Sequence, residues 1–225
     1  MVTLPAARPK TARSERFEAR RESIIDLAAG LFARNGYAST GVADLGEHVG
    51  LERGALYYYI GSKEQLLADI HDRVMTPLLR DSEAIHALSG SPLARLRLLS
   101  ESLLEQVIGR RDHVWVFLHE YRALTGSRRT RFRQQRETFE GYIRALIAQA
   151  VKEGVLRSTD TELAVLSFLG MHNYTYQWTA TKPGITPNRL SRYYCGVFFT
   201  GLAAVAIDLR AIENEATRLR TQLSR

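Results

Sequence analysis

The stretch from Thr40 to Tyr59 constrains the fold most. Val42, Leu45 and Val49 fall on one face of a short helix that Gly50 stops. Leu51 then leads into a second short run, Arg53-Gly-Ala-Leu-Tyr-Tyr-Tyr59. Two short helices joined by a tight glycine-containing turn describe a helix-turn-helix, placed at about 41–60. The flanks agree. Ile24, Ile25, Ala28, Leu31 and Phe32 form one apolar stripe, and Asn35-Gly36 supplies a stop, with Gly36 able to take the left-handed cap conformation. Thr40 is the predicted N-cap of the first short helix. Ser62-Lys-Glu-Gln65 has the spacing of a capping box and opens a helix carrying Leu66, Leu67, Ile70 and Val74, which Pro77 is expected to kink or interrupt.

Similar punctuation continues. Ser91-Pro92 opens a helix whose stripe is Leu96, Leu99, Leu103 and Val107. Further helices are expected from Asp112 to Gly126, from Ser127 to Gly154, from Asp160 to Lys182-Pro-Gly184, and from Thr186-Pro187 past Ala206. No alternating strand pattern bounded by turn signals occurs. The expected fold is all-α with about nine helices and no short internal repeat. It divides into a basic flexible arm (1–17), a helix-turn-helix head (18–75), a helical body (76–210) and a C-terminal tail (211–225).

Composition narrows the function classes. The chain has 225 residues, a net charge of +7 and a pI near 9.7. Residues 1–75 carry ten basic and ten acidic side chains, so the whole excess lies in the remainder and bulk charge does not identify a DNA-binding face. Locally, Arg8, Lys10, Arg13, Arg16, Arg20 and Arg21 face only Glu15 and Glu18, either as a solvated tail or as an arm reaching an adjacent DNA groove. A single cysteine, Cys195, excludes an internal disulfide framework and a cysteine-built zinc site, and suits a reducing compartment. No apolar run approaches the roughly 20 residues a membrane span needs, and no secretory h-region follows the N-terminus, so a cytoplasmic protein is expected, and the helix-turn-helix pattern makes it a nucleoid-associated one. No nucleophile elbow, phosphate loop, paired-carboxylate or zinc signature is present. His113, His119, Glu120 and His172 match no tight ligand spacing. Neither an enzyme, nor a cofactor, nor a metal site is expected.

The run from Gly36 to Leu67, within a gapless match from about Glu18 to Val74, resembles the DNA-binding head of the TetR family of bacterial transcriptional regulators. It combines the first helix, the turn, Gly54-Ala-Leu-Tyr-Tyr58 and Ser62-Lys-Glu64 in one register. The resemblance implies a dimeric repressor with a three-helix head and an all-helical ligand-binding body. Thr40, at a helix start, can offer its hydroxyl and neighbouring N–H groups to a phosphate. Arg53 can enter the major groove, and Gly54 lets its helix approach DNA closely. Tyr57 or Tyr58 can offer a hydroxyl to a phosphate, the resemblance favouring Tyr58, and Lys63 adds a phosphate contact at a positive helix end. The sequence departs from the family at Gly41, Glu52 and Tyr59-Ile60, so no operator sequence is carried over.

In the body, Gly170-Met-His-Asn-Tyr-Thr-Tyr-Gln-Trp178 and the residues up to Gly184 resemble a TetR branch that senses acyl-CoA thioesters in lipid and steroid breakdown. Asn173, Trp178, Pro183 and Gly184 echo its pattern with one extra residue before Pro183, while Lys182 stands near its usual arginine. The resemblance implies a small-molecule effector of that class. Phe168, Met171, His172, Thr175 and Trp178 recur at helical spacing, as either a pocket wall or a core stripe. Trp115, Leu118, His119 and Arg122 share one face, and with Phe139 and Tyr142 they complete the candidate lining. Five arginines within 128–136 are either anion receptors for a phosphate-bearing ligand or a solvated face. Leu163, Leu166, Tyr193, Val197, Phe198, Gly201 and Val205 are expected in a homodimer interface made by the last two helices, as the family pairs them. His172 is read as a buried, hydrogen-bonded histidine, and Cys195 as a small buried apolar residue.

Overall fold

Several helices begin at residues whose side chains satisfy open backbone amides. The computed structural model describes residues 12–223, where ten α-helices run α1 (Ala12–Asn35), α2 (Val42–Val49), α3 (Arg53–Ile60), α4 (Lys63–Ala87), α5 (Pro92–Gly109), α6 (Arg111–His119), α7 (Gly126–Lys152), α8 (Thr161–Asn173), α9 (Pro187–Leu202) and α10 (Leu209–Leu223). Ser62 Oγ accepts the Gln65 amide at 3.0 Å, Ser91 Oγ that of Ala94 at 3.2 Å, and Thr186 Oγ1 that of Arg189 at 3.2 Å. Asp160 accepts the amides of Glu162 and Leu163. The capping box at Ser62 is half formed, because the Gln65 side chain turns away to Asp69 and Arg128.

Several boundaries differ from the sequence expectation. Helix α1 already runs at Ala12, so the last third of the expected arm is helical; Arg8 and Lys10 lie outside the described residues. Helix α4 passes through Pro77 to Ala87, because buried residues on both sides of the proline, Val74, Met75, Leu78 and Ile85, anchor it to its neighbours. Helix α6 stops at His119 and gives way to a 3-10 turn at Tyr121–Ala123. Helix α8 ends at Asn173, and 3-10 turns at Tyr174–Gln177 and Thr179–Thr181 follow. Helix α9 ends at Leu202, where an isolated bridge pairs Ala203 with Leu156. The expected C-terminal tail is mostly α10, which lays buried Ala216 and Leu219 against α5.

Two apolar cores result. The head core gathers Ile24, Phe32, Leu45, Leu56 and Leu67, and takes in Val116, Leu124 and Phe132 from α6 and α7 with the segment between them. The body core surrounds α5, which is buried at every residue from Pro92 to Leu104. Each fully buried Leu or Phe contributes roughly 1.5–3 kcal/mol. Arg97 also lies in this core, at 0 % exposure. Its guanidinium donates to Glu213 at 2.7 Å, Glu101 at 2.8 Å, Ser191 Oγ at 2.9 Å and the Asn188 carbonyl at 3.1 Å, tying α5 to α9 and α10. Among the described residues no helix is long and apolar enough to cross a membrane.

Candidate nucleic-acid interface and effector cavity

In the head, Gly41 rather than Thr40 is the N-cap of α2, and its amide donates to Asp44 Oδ2 at 2.7 Å. Thr40 is 1 % exposed and its Oγ1 donates to the Gly36 carbonyl at 2.9 Å. The hydroxyl closes the α1–α2 turn, which corrects its expected role as a phosphate donor. Gly50 ends α2 at φ 66°, and the Leu51 amide donates back to the Gly46 carbonyl at 2.9 Å. A Cβ on Gly46 would meet the Leu51 carbonyl oxygen at 2.7 Å, so this close turn requires glycine there.

Leu56 and Ile60 of α3 are buried under α1, and the opposite face carries Gly54 and Tyr58. A Cβ on Gly54 would meet nothing within 4 Å, and Tyr58 is 69 % exposed. Arg53 is exposed, with its guanidinium carbon 5.7 Å from the centre of the Tyr57 ring. Tyr57 itself is half-buried against the head core. Lys63 lays its ammonium 4.3 Å from the Tyr37 ring centre, and partial burial lowers its pKa against the pull of Glu120 and Asp44. Arg53, Gly54 and Tyr58 therefore present one outward surface, while Tyr57 and Lys63 are partly occupied inside the head.

The body holds a cavity of about 270 Å³ bounded by α4, α5, α6, α7 and α8. Its walls are mainly apolar, with Met75, Leu78, Val107 and Phe117 among them; its polar groups include Gln106, Asn173, Tyr121 and the Arg136–Glu140 ion pair at 3.1 Å. Of the expected lining only Leu118 and Phe139 face it. Phe168 and His172 are buried in the core instead, with their rings stacked at 4.2 Å. Met171 packs against that core, and Thr175 Oγ1 bonds the Met171 carbonyl and Tyr194. Trp115 stacks on His119, Tyr142 lies beside His86, Arg122 is exposed over Tyr121, and Trp178 closes the 3-10 turn after α8. The reason is register. Of the two alternatives for the α8 stripe, the core one holds: it faces α5 and α9, and the cavity is reached from Leu169 and Asn173. Asn173 carried a signal, standing in the motif shared with the acyl-CoA-sensing branch; Gln106, Tyr121 and Glu140 carried none.

His172 joins a buried polar chain. Its Nδ1 faces the Phe168 carbonyl at 2.6 Å and so carries the proton, and its Nε2 takes the Ser100 hydroxyl at 2.6 Å. Ser191 donates on to Ser100 at 2.7 Å, and Arg97 donates to Ser191. Burial pushes the His172 pKa down to about 4, and that of the buried Cys195 thiol up to about 11.

The arginine run on α7 is largely engaged. Arg128 pairs with Glu64 at 3.3 Å, Arg131 with Asp72 at 3.1 Å, and Arg136 with Glu140. The first two fasten α7 to α4 rather than leaving a bare anion receptor. Of the expected dimer residues, Leu163, Leu166, Tyr193, Val197, Gly201 and Val205 are exposed. Phe198 is 7 % exposed and packs edge-on to Phe168 at 5.4 Å, so it belongs to the protomer's own core.

A glycine-turned pair of short helices on a three-helix head, beside a separate helical body with its own cavity, defines a helix-turn-helix DNA-binding regulator. Residues 24–70 match the family model described as bacterial regulatory proteins, tetR family, and residues 89–202 match that of the tetracyclin repressor-like C-terminal domain. The chain belongs to the TetR family, whose members are regulators and not enzymes. It is 26% identical over 187 residues to the transcriptional repressor KstR2 of Rhodococcus jostii, covering 82% of this chain and 92% of that protein. Among solved structures it is similar to PfmR of Thermus thermophilus, at TM-score 0.72 and 27% identity over 79% of this chain and 97% of that one. It is likewise similar to AibR, solved with isovaleryl coenzyme A and operator DNA, at TM-score 0.71 and 26% identity over 80% and 98%.

Proposed function

We propose that the protein is a dimeric repressor that a small molecule in the body cavity releases from its operator. The observation that carries this reading is the placement of the cavity against the parts that hold the head. Phe117, Leu118 and Tyr121 line it, and between them Glu120 Oε1 accepts the Tyr37 amide of the α1–α2 turn at 3.0 Å. Thr125, four residues on from Tyr121, donates through its amide and hydroxyl to Glu64 at the start of α4. A ligand that moves this wall pulls on the segments just before and just after the helix-turn-helix. A coupling of about 1–3 kcal/mol is enough to change operator affinity roughly 5–150-fold.

The head would read DNA through Arg53, Gly54 and Tyr58, with Tyr57 and Lys63 at the edge of the contact. The exposed apolar positions on α8 and α9 would pair two protomers across a twofold axis, which places two heads about one DNA turn apart. The proposed effector is an acyl-CoA thioester of a lipid or steroid catabolite. Support comes from the motif around Asn173 and Trp178 and from the relatives KstR2 and AibR. The cavity, at about 270 Å³, accommodates an acyl chain or a compact ring system and leaves the nucleotide outside. A second reading, a neutral hydrophobic effector, draws on the engagement of Arg128, Arg131 and Arg136 by carboxylates.

Footprinting of genomic fragments, with and without thioesters of several acyl types and with the matching free alcohols, tests the proposal. A protected palindrome released by one thioester alone supports the acyl-CoA reading; release by the alcohol supports the neutral one. Protection that no compound changes removes the effector proposal. Phe139→Trp, which fills the cavity, is expected to keep operator binding and to lower the effector response at least tenfold.

A further inference from the structure

The inward face of α1 changes character along its length. Over the head core it is apolar, with Ile24, Ala28 and Leu31 buried. Toward the N-terminus, Arg20, Phe17, Arg16 and Arg13 share one stripe at i, i−3, i−4 and i−7, which overlaps one edge of that face. Glu15 and Glu18 fall on the opposite side, so the charges are segregated. These first turns precede residue 24, where the family match to the head begins.

They are nevertheless fastened to the reading surface. Arg20 Nη2 donates to the Val49 carbonyl at the end of α2, at 2.6 Å. Arg21 donates to the Tyr59 carbonyl at 3.2 Å and pairs with Asp69. One turn earlier, Phe17 stacks on Tyr59 with centroids 5.0 Å apart and meets Tyr58 edge-on at 5.3 Å. Tyr58 and Tyr59 are themselves edge-on at 5.4 Å. The three rings hold an otherwise exposed tyrosine on the outward face of α3, which removes rotamer freedom before any partner arrives. Within one turn of Phe17, which contacts Tyr58, α1 carries Arg13 and Arg16, both exposed.

We propose that the first turns of α1 are a second DNA-contacting element, in which Arg13 and Arg16 bind backbone phosphates flanking the groove entered by α3 and Phe17 is a positioning residue for Tyr58. The proposal rests on the reading of α3 as the groove-entering helix. A basic overhang next to a groove-entering helix meets the phosphates at the groove's edge, where arginine pairs well in geometry and charge.

The test uses the full-length protein and a protected operator fragment, titrated at several salt concentrations. Arg13→Ala with Arg16→Ala is expected to weaken binding about tenfold near 0.15 M salt. It should also make the plot of log affinity against log salt shallower by about two units per bound protomer, since each phosphate contact contributes about 0.9. Phe17→Leu is expected to weaken binding in the wild type but to add nothing to Tyr58→Phe. Wild-type affinity and slope in the double arginine variant overturn the phosphate contacts. Independent, additive losses for Phe17→Leu and Tyr58→Phe overturn the positioning role. An unfolded Phe17 variant, seen as a lost thermal transition, also overturns that role, and the exposed arginines still test the rest. Arg53→Ala separates the two readings. If it weakens binding while the α1 variant does not, only the overhang is wrong. If neither weakens binding, or the wild type protects no fragment, the α3 reading falls as well.

Discussion

At the residue scale, the buried polar side chains divide by whether they have partners. Arg97 has four, and its removal leaves Glu101 to Arg220 and Asn188, and Glu213 to Arg192. Arg97→Met is expected to cost about 1–3 kcal/mol, read as a fall in the urea midpoint, because the hydrogen bonds joining α5 to α9 and α10 are lost. His71 has none: both ring nitrogens lack a hydrogen bond, and the ring lies edge-on to Phe117 and Phe132. Burial pushes its pKa down to about 3, and that of His172 down to about 4. Both folded values lie below that of the unfolded histidine, near 6.5, so the unfolded chain binds the protons first. Their contribution is fully present above about pH 6.5 and is lost as pH falls toward 4 and 3. Urea unfolding at pH 7 and pH 5 should show that loss, and His71→Leu should reduce it. The same variant should gain stability at pH 7 by about 1–3 kcal/mol, because no polar atom is left unsatisfied. The sequence made one of these histidines legible: His172 sits four residues after Phe168, where a ring nitrogen reaches a helical carbonyl. His71 was silent, because its surroundings come from α6 and α7, far along the chain. Thr40 misled for a similar reason, its hydroxyl being claimed by the fold of a turn rather than by the helix that follows.

At the scale of elements, local chemistry was legible and register between helices was not. Ser62, Ser91, Asp160 and Thr186 each cap the helix that follows, since a cap needs only its own next three residues. The wall of the cavity needs the rotation of α8 against α5, and a periodic stripe does not say which neighbour it faces. The all-α architecture and the head pattern follow from spacing alone, whereas the fate of Phe198 and the end of α8 at Asn173 follow from packing. Two predictions belong here. Gly46→Ala should open the helix-turn-helix turn, destabilising the head by about 1–3 kcal/mol and weakening operator binding, as read by thermal melting and DNA titration. Glu120→Ala should free the Tyr37 amide, seen as faster hydrogen exchange at that residue, and should blunt the response to effector more than it weakens DNA binding.

At the scale of the whole molecule, exposed leucine, tyrosine and valine side chains gather on two adjacent helices in the isolated protomer. Leu166→Arg with Val197→Arg is expected to shift sedimentation from dimer to monomer and to lower operator affinity at least tenfold, leaving the helical content unchanged. Sedimentation of the wild type as a monomer at micromolar concentration counts against the paired assembly. Helix α5 bears differently on the molecule's history. Other helices sheathe it from Pro92 to Ser102, while Leu103, Gln106 and Val107, in its last turns, border the cavity. Change along the sheathed length disturbs packing on every side at once; change at the bordering end meets open space. A lineage built on this plan can therefore exchange one chemical signal for another through a few residues at that end, with its foldability left intact.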